Sequence, residues 1–250
     1  MPVDAALVGA LHVEYLKKRD LVDKERPHHS LFQTSTIEAL LQGNYDGDVS
    51  FAELEDRGDF GLGTLDALDG EMVALDGAFY QIKADGRAYA IDGRARTPFA
   101  VVTFFEPGLS RTLAAPLDFA GLCAHVDRLV GGTAACCAVR VDGRFQYVKT
   151  RSVPRQRKPY PPLVEVVEGQ PTFELHEVQG SLVGFRFPDH ARGVNVPGYH
   201  FHFITDDRTA GELRVDREAD LRLELPPEVS LPVPGRAPED DALNRVERDQ

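Results

Sequence analysis

Apolar and polar residues alternate along much of this chain in short runs, each closed by glycine, proline or aspartate. Alternation at every second residue is the signature of half-buried strands. The stretch GDFGLGTLDALDGEMVALDGAFYQIKADGRAYAI contains three Asp-Gly pairs, Asp69-Gly70, Asp76-Gly77 and Asp85-Gly86. Asp-Gly tolerates the positive φ angles of tight hairpins, so the stretch predicts a meander of strands, which FAVVTFFEP continues. Two segments break the pattern with helical spacing. STIEALLQG offers Ser35 or Thr36 as a cap, Glu38 in the first turn and Gly43 beyond the end. PLDFAGLCAHVDRLVGG predicts a helix with Leu122, Ala124, Val126, Leu129 and Val130 on its buried face. AACCAVRV reads as a buried strand.

The composition then shifts at SVPRQRKPYPPL, whose prolines and basic residues predict an extended connection between two halves. The halves are taken as residues 1–150 and 151–250. The second half is expected to be β-rich, with strands in VEVV, TFELHEV, SLVGFRF, YHFHFIT and LRLEL. Its tail, dense in proline and charge, reads as disordered or as a short docking helix at ALNRVE.

At 250 residues the chain can bury one large core or two smaller ones. A net charge of −12 repels a phosphate backbone, so nucleic acid is not an expected partner. The three cysteines, Cys123, Cys136 and Cys137, have no CxxC spacing and give neither a disulfide framework nor a zinc ribbon; a reducing cytoplasm is the expected setting. The N-terminal text lacks the pattern of a secretory signal, and no run approaches the ~18 apolar residues of a membrane span.

Chemistry concentrates in GYHFHFITDDRTAGELRVD. His200 and His202 stand one residue apart in an extended run, so both imidazoles leave the same face of a strand. Taken alone, the pair reads as two satisfied core histidines or as a metal clamp short of a third protein ligand. Glu71 follows the turn LDGE, Thr64 precedes it by seven residues, and Arg151 ends a strand ahead of the proline-rich connection. Each has an ordinary reading as a turn or surface residue.

Together these segments resemble the acetolactate decarboxylase family. The resemblance is carried by FQTSTIEALLQGNYDG, GDFGLGTLDALDGEMVALDGAFYQI, TPFAVVTFF, TRSVPRQRKPYPPL, GSLVGFRFP and NVPGYHFHFITDDRTAG, spread over about residues 31–211. It implies a two-domain α+β (α/β) fold with mixed β-sheets, a homodimer, and zinc held in a cleft. It also implies a small-molecule substrate, with conversion of (S)-2-acetolactate to (R)-acetoin and carbon dioxide. Carried over by residue, His200 and His202 match zinc ligands and Glu71 a glutamate at the metal. Arg151 matches the active-site arginine and Thr64 a threonine lining the substrate pocket. A glutamate returning from the tail would be Glu247. A related α-hydroxy-β-keto acid fits the same chemistry.

One position departs from the family pattern. The family text continues to GGH, whose histidine is a third zinc ligand, whereas this chain has AGELRV and places Leu213 at that position. Three outcomes stay open. Carboxylates from Glu71 and Glu247 complete the site; or a one-residue slip turns Glu212 inward, at the cost of flipping its neighbours; or metal affinity falls. In the last case the chain is a divergent relative that binds or transforms a different small molecule with little or no zinc.

Overall fold

The computed structural model describes residues 12–15, 31–113, 116–130, 136–206 and 220–224. The strands in chain order are β1 (His12–Tyr15), β2 (Leu31–Thr34), β3 (Val49–Ser50), β4 (Phe60–Thr64), β5 (Glu71–Leu75), β6 (Ala78–Ile82) and β7 (Ala88–Ala90). They continue with β8 (Arg96–Thr97), β9 (Ala100–Thr103), β10 (Leu109–Thr112), β11 (Cys137–Arg151), β12 (Thr172–Phe187), β13 (Gly198–Thr205) and β14 (Asp220–Glu224). One sheet has the order β1-β2-β9-β4-β5-β6-β7, a second has β10-β14-β11-β12-β13, and β3 pairs with β8 alone.

The Asp-Gly turns are where the pattern puts them. Asp76 and Gly77 join β5 to β6 with φ of 52° and 77°, the two positive values of a type I′ hairpin. Gly70 has φ 86°, and a Cβ on it would meet the Ile82 carbonyl oxygen at 2.2 Å, so only glycine fits there. The α+β expectation holds, with one correction: every strand pairing among the described residues is antiparallel, so the sheets they form are not mixed. In the meander β4-β5-β6-β7 the short turns between successive strands admit only antiparallel neighbours, because a parallel pair needs a long crossover. The second sheet takes β10 and β11 from the chain up to Arg151 and the rest from after it.

The helix Ile37–Leu41 is capped by Thr36, whose hydroxyl accepts the Ala39 N–H at 3.2 Å, and Gly43 follows with φ 88°. Asp118 caps the helix Phe119–Leu129 in the same way. That helix buries Leu122 and Val126, but Ala124 is exposed: two residues from Leu122 it lies on the opposite side of a 3.6-residue turn. VEVV is helical, not a strand, within Leu163–Glu168. Pro162 precedes it and Gly169 ends it, and burying Val166 in the core overrides the β preference of its valines. TFELHEV and SLVGFRF are one continuous strand, β12.

Alternation sorts the side chains into layers. Val73, Val101, Val183, Phe185 and Ile204 meet between the two sheets, where Phe60 stands edge-on to Phe185 at 5.9 Å. Their neighbours Met72, Ala74 and Val102 face outward onto Phe51 and Leu54 of the helix Phe51–Glu55. Phe201 and Phe203 face the other way from Ile204, into a cluster with Leu122 and Val126 of the helix Phe119–Leu129. The result is helix, sheet, sheet, helix. Arg140 ties the sheets at one rim, binding Asp76 of the first at 2.5 Å and Asp142 of the second at 2.9 Å. No helix among the described residues is long and apolar enough to cross a membrane.

Candidate functional site

A cavity of about 700 Å³ is lined by strand ends from both sheets. From the first sheet come Thr64 at the end of β4 and Glu71 at the start of β5, directly opposite each other in register. From the second come Arg151 at the end of β11 and His200 and His202 on β13. The two histidines share parity with Ile204, so the alternation that buries Ile204 between the sheets turns both imidazoles toward β5. Their ring centroids are 5.0 Å apart at 77°.

His202 is oriented by a backbone contact. Its Nδ1 lies 2.8 Å from the Met72 carbonyl oxygen, which can only accept, so Nδ1 carries the proton. Nε2 then presents its lone pair 3.7 Å from Glu71 Oε2. Burial pushes the His202 pKa down to about 4, against the Met72 hydrogen bond and with the Arg151 charge. Burial, then His202, then Arg151 push His200 down to about 3. Both rings are therefore neutral near pH 7, and the His202–Glu71 contact is not an ion pair. Glu71 is pushed up to about 7 by burial, which the Arg151 charge partly offsets.

Two buried side-chain polar atoms among the described residues have no hydrogen-bond partner, His200 Nδ1 and Gln170 Oε1, and both residues line the cavity. Neutral imidazoles are the form in which histidine binds a divalent cation, and the neighbouring carboxyl group becomes a ligand once it ionises. The residues fit such an ion in kind. Among the described residues, however, no three His, Cys, Asp or Glu side chains are grouped closely enough to hold one.

Thr64 lines the cavity with only 3% of its surface exposed, and its hydroxyl donates to the Gly70 carbonyl at 2.6 Å. It thus braces the turn that delivers Glu71. Arg151 is an exposed residue at the cavity with no hydrogen-bond or ion-pair partner among the described residues. Glu212, Leu213 and Glu247 lie outside the described residues. Sequence reasoning missed Gln170, which follows a helix end and precedes Pro171; no periodicity or motif singles it out. It also missed the wall formed by Asn195 and Val196, where Asn195 Nδ2 donates to Gln33 Oε1 at 2.7 Å and fixes the segment leading into β13.

A family described as alpha-acetolactate decarboxylase matches residues 31–230. The chain is 49% identical over 209 residues to the alpha-acetolactate decarboxylase of Methylococcus capsulatus, covering 82% of this chain and 80% of that one. With the Klebsiella aerogenes protein of the same description it shares 46% identity over 187 residues, 75% of this chain and 72% of the other. The crystal structure of alpha-acetolactate decarboxylase from Bacillus subtilis strain 168 superposes with a TM-score of 0.76 at 37% identity, covering 82% and 89% of the two chains.

Proposed function

Since the chain belongs to the alpha-acetolactate decarboxylase family, we propose that it decarboxylates (S)-2-acetolactate to (R)-acetoin and carbon dioxide in the cavity between its sheets. The observation that carries this reading is the meeting of Glu71, Arg151, His200 and His202, from three strands in two sheets, at one cavity wall. His200 and His202 would hold the metal, zinc in this reading, with Glu71 beside them and Glu247 supplying a further ligand from outside the described residues, and its positive charge would stabilise the electrons that departing carbon dioxide leaves on the ketone oxygen.

The chain's own residues supply the rest. Arg151, permanently charged, binds the substrate carboxylate and holds it in the cavity. A guanidinium is a poor bulk acid, so proton delivery to the new C–H bond runs through a carboxyl group or water. Glu71 stands beside the two imidazoles at the cavity wall and takes the hydroxyl proton of the substrate. The walls formed by Leu40, Leu68, Phe99 and Val153 keep the reacting carbons away from bulk water.

Glu247 belongs to the same reading, and sheet geometry supports its reach. Glu224 pairs with Ala138, Ala138 with Phe185, and Phe185 with His200, so β14 ends in the row of the sheet that carries His200. Three strand spacings make that about 14 Å. Residues 225–250 in extended form span several times that distance. Assembly as a cytosolic homodimer is part of the proposal.

The test is metal analysis of the purified full chain together with acetoin formation from racemic acetolactate. Stoichiometric zinc with turnover of one enantiomer, abolished in Glu71→Ala and Arg151→Ala variants that still fold, is the expected result. Turnover undiminished in both variants would overturn the assignment of the site.

A further inference from the structure

Glu71 is flanked by two hydrogen bonds that cross from one sheet to the other. One is the contact of His202 Nδ1 with the Met72 carbonyl, one residue along β5. The other comes from Ser152, whose hydroxyl donates to the Ile82 carbonyl at 2.8 Å. Ile82 stands directly opposite Glu71 in the pairing of β5 with β6. Ser152 immediately follows Arg151, the last residue of β11. A single bond thus joins the neighbour of the cavity cation to the cross-strand partner of the cavity acid. Ser152 is fully buried, and the cavity is lined by Arg151 and Val153 on either side of it but not by Ser152 itself. Its influence on a bound acid can pass only through other residues.

Both ends of this bond are seated. The Ser152 N–H donates to the Pro171 carbonyl at 3.3 Å, and the next residue, Thr172, pairs with Arg151. The hydroxyl therefore keeps a fixed place relative to the end of β11. On the far side, a Cβ on Gly70 would lie 2.2 Å from the Ile82 carbonyl oxygen, so that oxygen rests against the backbone one residue before Glu71. Lengthening the bond moves the β5–β6 hairpin away from the strand end of Arg151, and Glu71 moves with it. Around a reacting group, a displacement of about 1 Å can cost on the order of 100-fold in rate.

We propose that Ser152 is a positioning residue whose hydroxyl sets the spacing between the strand ends that carry Arg151 and Glu71. This rests on the decarboxylase reading for the reaction it serves. It adds to that reading a group outside the cavity on which the placement of the carboxylate-binding arginine depends.

The probe is 2,2-dimethylpropanoate, a branched carboxylate with no ketone to accept electrons. It is titrated calorimetrically into the wild type, Arg151→Ala, Ser152→Ala and the double variant, each as full-length protein well below its melting temperature. Both single variants are expected to bind more weakly, Ser152→Ala by about fivefold, and the double variant no more weakly than Arg151→Ala alone, because the two residues act as one unit. A loss of packing alone would instead add in full to the loss from Arg151→Ala. Acetoin formation is followed in parallel, with kcat/KM of Ser152→Ala expected to fall about tenfold. Ser152→Cys, similar in shape with a far weaker donor, is judged by the same criteria if Ser152→Ala does not fold. Probe binding that does not depend on Arg151, binding that the Ser152 variant leaves unchanged, or fully additive losses overturn the proposal, as does an unchanged kcat/KM in an active enzyme. A wild type that forms no acetoin yet shows the non-additive loss would refute the decarboxylase reading and leave the role of Ser152 standing.

Discussion

Replacing Thr64 with valine separates two roles that one side chain can have. Valine keeps the shape and the β propensity and removes only the hydroxyl. In the wild type that hydroxyl is buried and donates to the Gly70 carbonyl at 2.6 Å, one residue before Glu71. The variant loses a buried hydrogen bond and strips the Gly70 carbonyl of that donor, a change of about 2 kcal/mol. For a chain of this size it lowers the melting temperature by roughly 4–8 °C. The assay is thermal and urea unfolding of the wild type, Thr64→Val and Thr64→Ser, with acetoin kinetics on each. Serine retains the donor and restores most of the stability. If the turn is what matters, the valine variant turns over more slowly because Glu71 is no longer braced, while KM changes little. Unchanged stability with a raised KM would refute this reasoning and give the hydroxyl to the substrate.

The metal-free protein is expected to have its own pH signature. His200 and His202 are held well below 6.5, so the unfolded chain takes up protons first and stability falls as pH drops from 6.5 toward 4. Glu71 is raised from 4.5 to about 7, so its contribution is lost as pH rises through that interval. At about 1.4 kcal/mol per pH step this interval amounts to roughly 3 kcal/mol, so Glu71→Gln gains on the wild type between pH 4.5 and 7 in metal-free urea titrations. A constant difference across that range would dismiss the shift. At the position where the family pattern has a histidine, Leu213→His is expected to tighten zinc binding in chelator competition; an unchanged affinity would mean that residue 213 does not face the site.

Local signals carried much of the architecture into the sequence. The Asp76-Gly77 hairpin and the Thr36 cap follow from backbone geometry that few other residues satisfy, so they are legible without tertiary context. VEVV is not, because its valines favour a strand and only the burial of Val166 against the rest of the fold makes it a helix. Ala124 shows a different limit: alanine is small enough to sit on either face, so its apolar character says little about which one. The HxH spacing put both imidazoles on one face, yet nothing in the sequence indicates that the Met72 carbonyl fixes one ring. Gln170 was illegible for the same reason, since its unmet oxygen exists only once the cavity wall is assembled around it.

Glu71 stands on one sheet and the imidazoles on the other, and nothing covalent fixes the 3.7 Å between Glu71 and His202. That gap is set by how deeply the facing side chains interlock, Phe60 against Phe185 among them. Trimming or enlarging a residue in this seam, well away from any reacting atom, moves the acid relative to the rings by fractions of an ångström. Tuning of the chemistry in this chain thus falls to the hydrocarbon between its layers as much as to the polar groups that carry it out.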